Sequence, residues 1–150
     1  MSERLNFYKS TPGGTKLMLD MEKYLHECGL EESLMLLVKM RASQINGCSF
    51  CLDMHSRDAR KNGESEQRLY VLDAWRETEL FTARERAALA WTEALTLISQ
   101  THAPDSAFAE VNAQFSDAEL ANLTLLIGTI NTWNRIAIGT RMPIPAQKAA

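Results

Sequence analysis

The chain has 150 residues, 45% of them hydrophobic and 23% charged, with a formal net charge of -3. One domain of ordinary size fits that length and can bury roughly two-thirds of its unfolded surface. So small a net charge, with no basic run, excludes nucleic acid as the main partner, and no apolar stretch reaches the roughly 18–20 residues that span a bilayer. The opening residues MSERLNFYKS lack the apolar core of a secretory signal, so the expected compartment is the cytoplasm. In that reducing setting three cysteines are poor material for a disulfide framework, and a close pair points to redox or metal chemistry.

Proline and glycine are sparse, and apolar residues recur at helical spacing along the chain. Leu17, Met21, Tyr24, Leu25 and Cys28 form a first stripe, with Gly29 placed to cap it. Residues 31–45 carry Leu34, Leu37, Val38 and Ile45 on a second helix. GCSFCLDMHSRDARKNG reads as a third, stopped by Asn62-Gly63, and Leu69, Leu72 and Trp75 mark a fourth. Thr82 with Glu85, and Ser116 with Glu119, have the spacing of capping boxes that open two further helices. Over 116–138 a stripe of Leu120, Leu123, Leu126, Ile127, Ile130 and Trp133 is joined by Leu125, Ile136 and Ile138 off its line. Such a helix is expected in the middle of a core or under a neighbouring subunit. Pro143 and Pro145 mark a tail, and no stretch alternates as a strand would. The predicted fold is a single all-α domain over residues 1–150, a bundle of about six to seven helices.

NGCSFCLDMH, residues 46–55, carries the chemistry. On a helix over 47–59, positions 48, 51, 52, 55 and 59 share a face, which aligns Cys48, Cys51 and His55 over two turns. Asp53, Ser56 and Arg57 point elsewhere, and Asn46 is the predicted N-cap. Cys48 in the first turn meets free backbone N–H groups and the positive end of the helix dipole, which favour its thiolate. His55 is placed to exchange a proton with Cys51. Two sulfurs at C-x-x-C spacing close into a disulfide with little backbone movement, one attacking and the other resolving. Two other readings compete. The three residues could be plain core packing, or a zinc site whose fourth ligand comes from Cys28, His26 or His102. Haem attachment would need the histidine directly after the second cysteine, and a thioredoxin-type site would need a preceding strand.

Ser43, Gln44 and Asn46 lead into this helix and are expected to support the site by hydrogen bonds. Asn131, Asn134 and Arg135 interrupt an apolar helix; burying them unpaired would cost a few kcal/mol each, so they are read as a partnered structural network. Trp75, Trp91 and Trp133 are read as core or interface anchors, and Cys28 as a structural thiol.

VKMRASQINGCSFCLDMHSRDARKNGESEQRLYVLDAW resembles the core motif of the alkylhydroperoxidase AhpD-like proteins of the carboxymuconolactone decarboxylase superfamily. LFTARERAALAWTEALTLIS and INTWNR follow in the same order, so the likeness runs from about residue 15 to 140. The resemblance implies a helical subunit that assembles as a trimer or hexamer and reduces hydroperoxides through its thiols. A dithiol protein or small thiol then restores the pair, with no cofactor. It also implies that Cys51 attacks, Cys48 resolves and His55 belongs to a proton relay, whereas the helix-start argument favours Cys48 as the thiolate. Members with the full relay carry a glutamate twelve residues before the first cysteine, and Leu36 stands there in this chain. Either His55 works alone, or a carboxylate comes from Glu32, Glu64 or Glu66. Without a second base the expected peroxidase is weak, because such a group is typically worth ~10²–10⁴-fold in rate. The alternative is a non-catalytic helical oligomer that senses oxidation or binds a metal.

Overall fold

The computed structural model describes residues 2–146; of the predicted domain span, residue 1 and residues 147–150 lie outside the described residues. Among the described residues there is no strand, and nine α-helices follow one another. They are α1 (Phe7–Ser10), α2 (Pro12–Glu27), α3 (Glu32–Asn46), α4 (Ser49–Lys61), α5 (Glu66–Val71), α6 (Ala83–Thr96), α7 (Ile98–Thr101), α8 (Asp105–Asn112) and α9 (Asp117–Thr140). A 3-10 turn, Leu72–Glu77, lies between α5 and α6. No helix among the described residues is long and apolar enough to cross a membrane.

The all-α reading holds, but six to seven helices is an undercount. α1, α7 and α8 span 4, 4 and 8 residues, too short to show an apolar period. Local chemistry makes α1: the Asn6 side chain accepts from the Lys9 N–H. The fourth predicted helix ends at Val71 and passes into the 3-10 turn, within which Ala74 leaves helical geometry. Both capping boxes form, Thr82 with Glu85 at α6 and Ser116 with Glu119 at α9.

α3 is the centre of the molecule. Leu34 to Met40 are all buried, because α4, α6 and α9 pack around this helix. Leu34, Met35 and Val38 meet Leu25, Trp91, Leu123 and Leu126 on one side. Leu36, Leu37 and Met40 meet Leu69, Leu72 and Trp75 on the other. Each fully buried leucine of this kind contributes roughly 1.5–3 kcal/mol. α9, predicted to be apolar all round, keeps Leu125 and Ile138 exposed. On α2 the predicted stripe is only half right: Leu25 is buried, but Leu17 is 72% exposed and Tyr24 51%.

The junction from α3 to α4 positions the site. Gly47 adopts a left-handed conformation with φ 68°, and its N–H and that of Cys48 close back on α3 carbonyls. The chain then turns at once into α4, whose N-cap is Cys48 with extended backbone. Asn46 is therefore the last residue of α3, not the N-cap of the cysteine helix.

Candidate active site

α4 turns Cys51, His55 and Ala59 inward, with Cys48 just before them, on the face that spacing selects. Cys48 and Cys51 are free thiols, 0% and 2% exposed, with their Sγ atoms 2.8 Å apart. Cys51 and His55 line a cavity of about 570 Å³ bounded by α2, α3, α4 and α9. Its apolar wall includes Leu19, Leu36, Phe50, Met54 and Trp133. Cys48 does not line this cavity. It borders a second groove, about 400 Å³, beside Ile138, Arg141 and Met142.

The two thiols are unequal. Hydrogen bonding from Cys51 pulls the Cys48 pKa down to about 7, helped by the backbone N–H groups of Cys51 and Phe50 and by the Asn134 amide, against burial. Cys51 is pushed up because its proton is held by the Cys48 sulfur and because it is buried, with Asn134 and Ser43 pulling weakly the other way. The proton of the pair thus sits on Cys51. His55 is held down to about 3 by burial, and further by the Lys39 cation. Its Nδ1 is buried without a partner.

Behind the sulfurs lies a polar network. Asn46 Nδ2 donates to Asn134 Oδ1 (2.8 Å) and Asn131 Oδ1 (3.0 Å). Asn134 Nδ2 donates to Ser43 Oγ (3.0 Å), and Ser43 donates to the Lys39 carbonyl (2.7 Å). The structure thus joins the side chains of Ser43 and Asn46 through Asn134. It leaves out Gln44, whose side chain accepts from Arg41 at 3.3 Å; one step along α3 from Ser43 turns it away.

Leu36 is buried and lines the cavity, so the place where the resemblance expects a carboxylate is apolar. Of the three substitutes, Glu32 lies on the cavity wall but pairs with His26 at 3.0 Å. Glu64 pairs with Arg68 at 2.9 Å and Glu66 with Arg60 at 3.3 Å, and neither borders the cavity. The carboxylate that sequence reasoning missed is Glu22 of α2. It pairs with the buried Lys39 at 2.7 Å, accepts from Trp133 Nε1 at 3.0 Å and faces the cavity. Trp133, read from the sequence as a core or interface anchor, is a half-buried wall of the cavity. Nothing in the spacing of Glu22, Lys39 and Trp133 links them to the cysteines; only the fold does. Among the described residues no group of three or more His, Cys, Asp or Glu could hold a metal ion.

Residues 12–94 match the family model described as the carboxymuconolactone decarboxylase family. The uncharacterized protein YdfG of Bacillus subtilis is 44% identical over 138 residues, which is 92% of this chain and 94% of that protein. A crystal structure from Agrobacterium tumefaciens superposes with a TM-score of 0.94 at 45% identity, over 97% of this chain and 100% of that one. That protein is of unknown function and was named as a candidate antioxidant defence protein AhpD. A debrominase shares the fold alone, with a TM-score of 0.80 at 18% identity over 92% of this chain and 74% of its own. Matched over more than half its length and by a relative of nearly equal extent, the chain belongs to the carboxymuconolactone decarboxylase family and has an AhpD-like fold.

Proposed function

We propose that the protein is a thiol-dependent reductase of organic hydroperoxides in which Cys51 attacks and Cys48 resolves. One observation carries the reading: Cys51 opens on a largely apolar cavity while its sulfur touches that of Cys48 at 2.8 Å. A cavity of about 570 Å³ walled by Leu36, Phe50, Met54 and Trp133 suits an organic group better than hydrogen peroxide.

In the reaction Cys51 passes its proton to the Cys48 thiolate and attacks the terminal peroxide oxygen. The O–O bond breaks, Cys51 becomes a sulfenic acid, and the leaving alkoxide takes the proton from Cys48 to give the alcohol. The renewed Cys48 thiolate then attacks the Cys51 sulfur, forming the disulfide and expelling hydroxide. A dithiol protein or small thiol reduces that disulfide by exchange. The neutral state of His55 supports a part as hydrogen-bond partner of the peroxide, not as a standing cation beside the thiolate. With Leu36 in place of a carboxylate, turnover is slow. The reading includes a reducing compartment, and assembly as a trimer or hexamer through apolar surface such as Leu17 and Leu125.

The test is turnover of cumene hydroperoxide with dithiothreitol as reductant. Cys51→Ser should abolish it, and Cys48→Ser should leave a sulfenic acid on Cys51 that dimedone traps. Robust turnover by Cys51→Ser sinks the reading. A disulfide that forms once per chain, without turnover, moves the protein to the class of redox sensors.

A further inference from the structure

Lys39 stands one turn along α3 from Leu36, and both line the cavity that Cys51 and His55 share. It is 5% exposed, a buried cation in a largely apolar wall. An ammonium has three N–H donors. Among the described residues Lys39 Nζ spends one of them, on Glu22 Oε2 at 2.7 Å. The other oxygen of that carboxylate accepts from Trp133 Nε1 at 3.0 Å, so Glu22 is pinned between α3 and α9 and fixes where the ammonium lies. The remaining N–H groups are left for the cavity. His55, itself buried, is a second polar group of this wall whose bonding is incomplete, because its Nδ1 has no partner. A buried ion pair is a poor way to stabilise a fold, since apolar side chains of like volume often serve as well or better. A donor-rich cation and an imidazole in one cavity with a reactive sulfur do match the two oxygens of a hydroperoxide.

We infer that Lys39 is a catalytic residue that binds the inner, carbon-bearing oxygen of the hydroperoxide and stabilises the alkoxide as the O–O bond breaks. The inference rests on the peroxidase reading, in which His55 is the partner of the peroxide. With the terminal O–H on His55 and the inner oxygen on Lys39, the terminal oxygen is the end offered to Cys51. In the step an electron pair of the Cys51 thiolate forms the S–O bond, and the O–O pair moves onto the inner oxygen. Negative charge therefore appears next to the ammonium. A hydrogen bond to that oxygen strengthens as the charge forms, and in an apolar cavity it is worth far more than in water. Lys39 keeps its proton throughout; the alkoxide becomes the alcohol with the proton from Cys48. Glu22 is the positioning residue that holds the ammonium in place. The substrate class narrows accordingly: alkyl hydroperoxides, whose alkoxide is a poor leaving group, gain most from Lys39.

The experiment is single-turnover oxidation of the reduced protein by one equivalent of oxidant, quenched by alkylation and read by mass spectrometry as the Cys48–Cys51 disulfide. Cumene hydroperoxide is compared with perbenzoic acid, of similar bulk, whose leaving benzoate is a weak base that needs no such help. The variant is Glu22→Gln with Lys39→Met, which removes both charges and leaves no ion unpaired. It should slow cumene hydroperoxide about 100-fold and perbenzoic acid less than about threefold. Glu22→Gln with Lys39→Gln, which keeps a neutral donor in the cavity, should show the same selective loss to a smaller degree, and it serves if the first variant does not fold. An equal loss with both oxidants, or no loss, overturns the assignment and leaves Lys39 and Glu22 as cavity wall, with the peroxidase reading intact. A wild type that cumene hydroperoxide does not oxidise overturns the peroxidase reading and this assignment with it.

Discussion

Taking the pH from 7 to 4.5 should cost the folded protein about 2–3 kcal/mol through His55 alone. The ring is 7% exposed, its Nδ1 has no partner and the Lys39 cation acts on it, so its pKa is held at about 3 against an ordinary 6.5. Between those values the unfolded chain carries a proton on this residue that the folded chain refuses. Stability therefore rises with pH across that window, and it is lost as pH falls from 6.5 toward 3. At pH 4.5 the unfolded histidine is about a hundredfold in favour of its cation, worth about two units at 1.36 kcal/mol each. Glu31, Glu93 and Glu119, all lowered from 4.5 by their hydrogen bonds and ion pairs, give up their share mainly below that pH. The assay is urea unfolding at pH 7 and 4.5 for wild type and His55→Leu. At pH 7 the variant should be nearly as stable, because an unpartnered nitrogen is exchanged for apolar atoms of similar bulk. At pH 4.5 it should be the more stable of the two. An equal loss in both proteins would refute the account of His55 as a buried neutral base.

Three further outcomes are expected. Glu22→Gln leaves the Lys39 ammonium, its side chain 6% exposed, without a counter-ion and should cost about 3–5 kcal/mol in urea unfolding; adding Lys39→Met should recover most of it, and a strictly additive cycle would dismiss the pair. Leu36→Glu puts a carboxylate on the cavity wall and should raise hydroperoxide turnover by about tenfold or more in a folded variant; an unchanged rate would remove the argument that the missing base limits the reaction. Ser116→Ala breaks the capping box of α9 and should cost about 1 kcal/mol, seen as a melting temperature lower by a few degrees.

The face of α4 was legible because steps of three, four and seven are intrinsic to a helix: Cys48, Cys51, His55 and Ala59 are all buried as spacing requires. Leu36, where the resemblance expects a carboxylate, lines the cavity, and the polar run on α9 did need partners. Asn46 was misread because the residue type that caps helices also serves as an amide for buried networks, and Gly47 ends one helix where the next begins. α2 was misread because its apolar residues fall on two faces, and period alone does not say which face meets α9. Lys39, inside VKMR, has the look of an ordinary surface charge. Only the packing of α2 and α9 across α3 shows it to be buried against Glu22, on the wall of the cavity that His55 also lines.

Charge and access favour different cysteines, Cys48 for the thiolate and Cys51 for the attack. The first is thermodynamic: the hydrogen bond from Cys51, helped by the backbone N–H groups at the start of α4, lowers the cost of charge on Cys48. The second is a matter of access, since Cys51 borders the large cavity and Cys48 borders the other groove. A sulfur that holds the charge but does not meet the peroxide is of use only if the charge can be moved, and at 2.8 Å one proton shift moves it. In the proposed reaction Cys48 is thus first the base for Cys51 and then the nucleophile that resolves it. This requires the two sulfurs to differ in affinity for the proton by an amount the surroundings can tune.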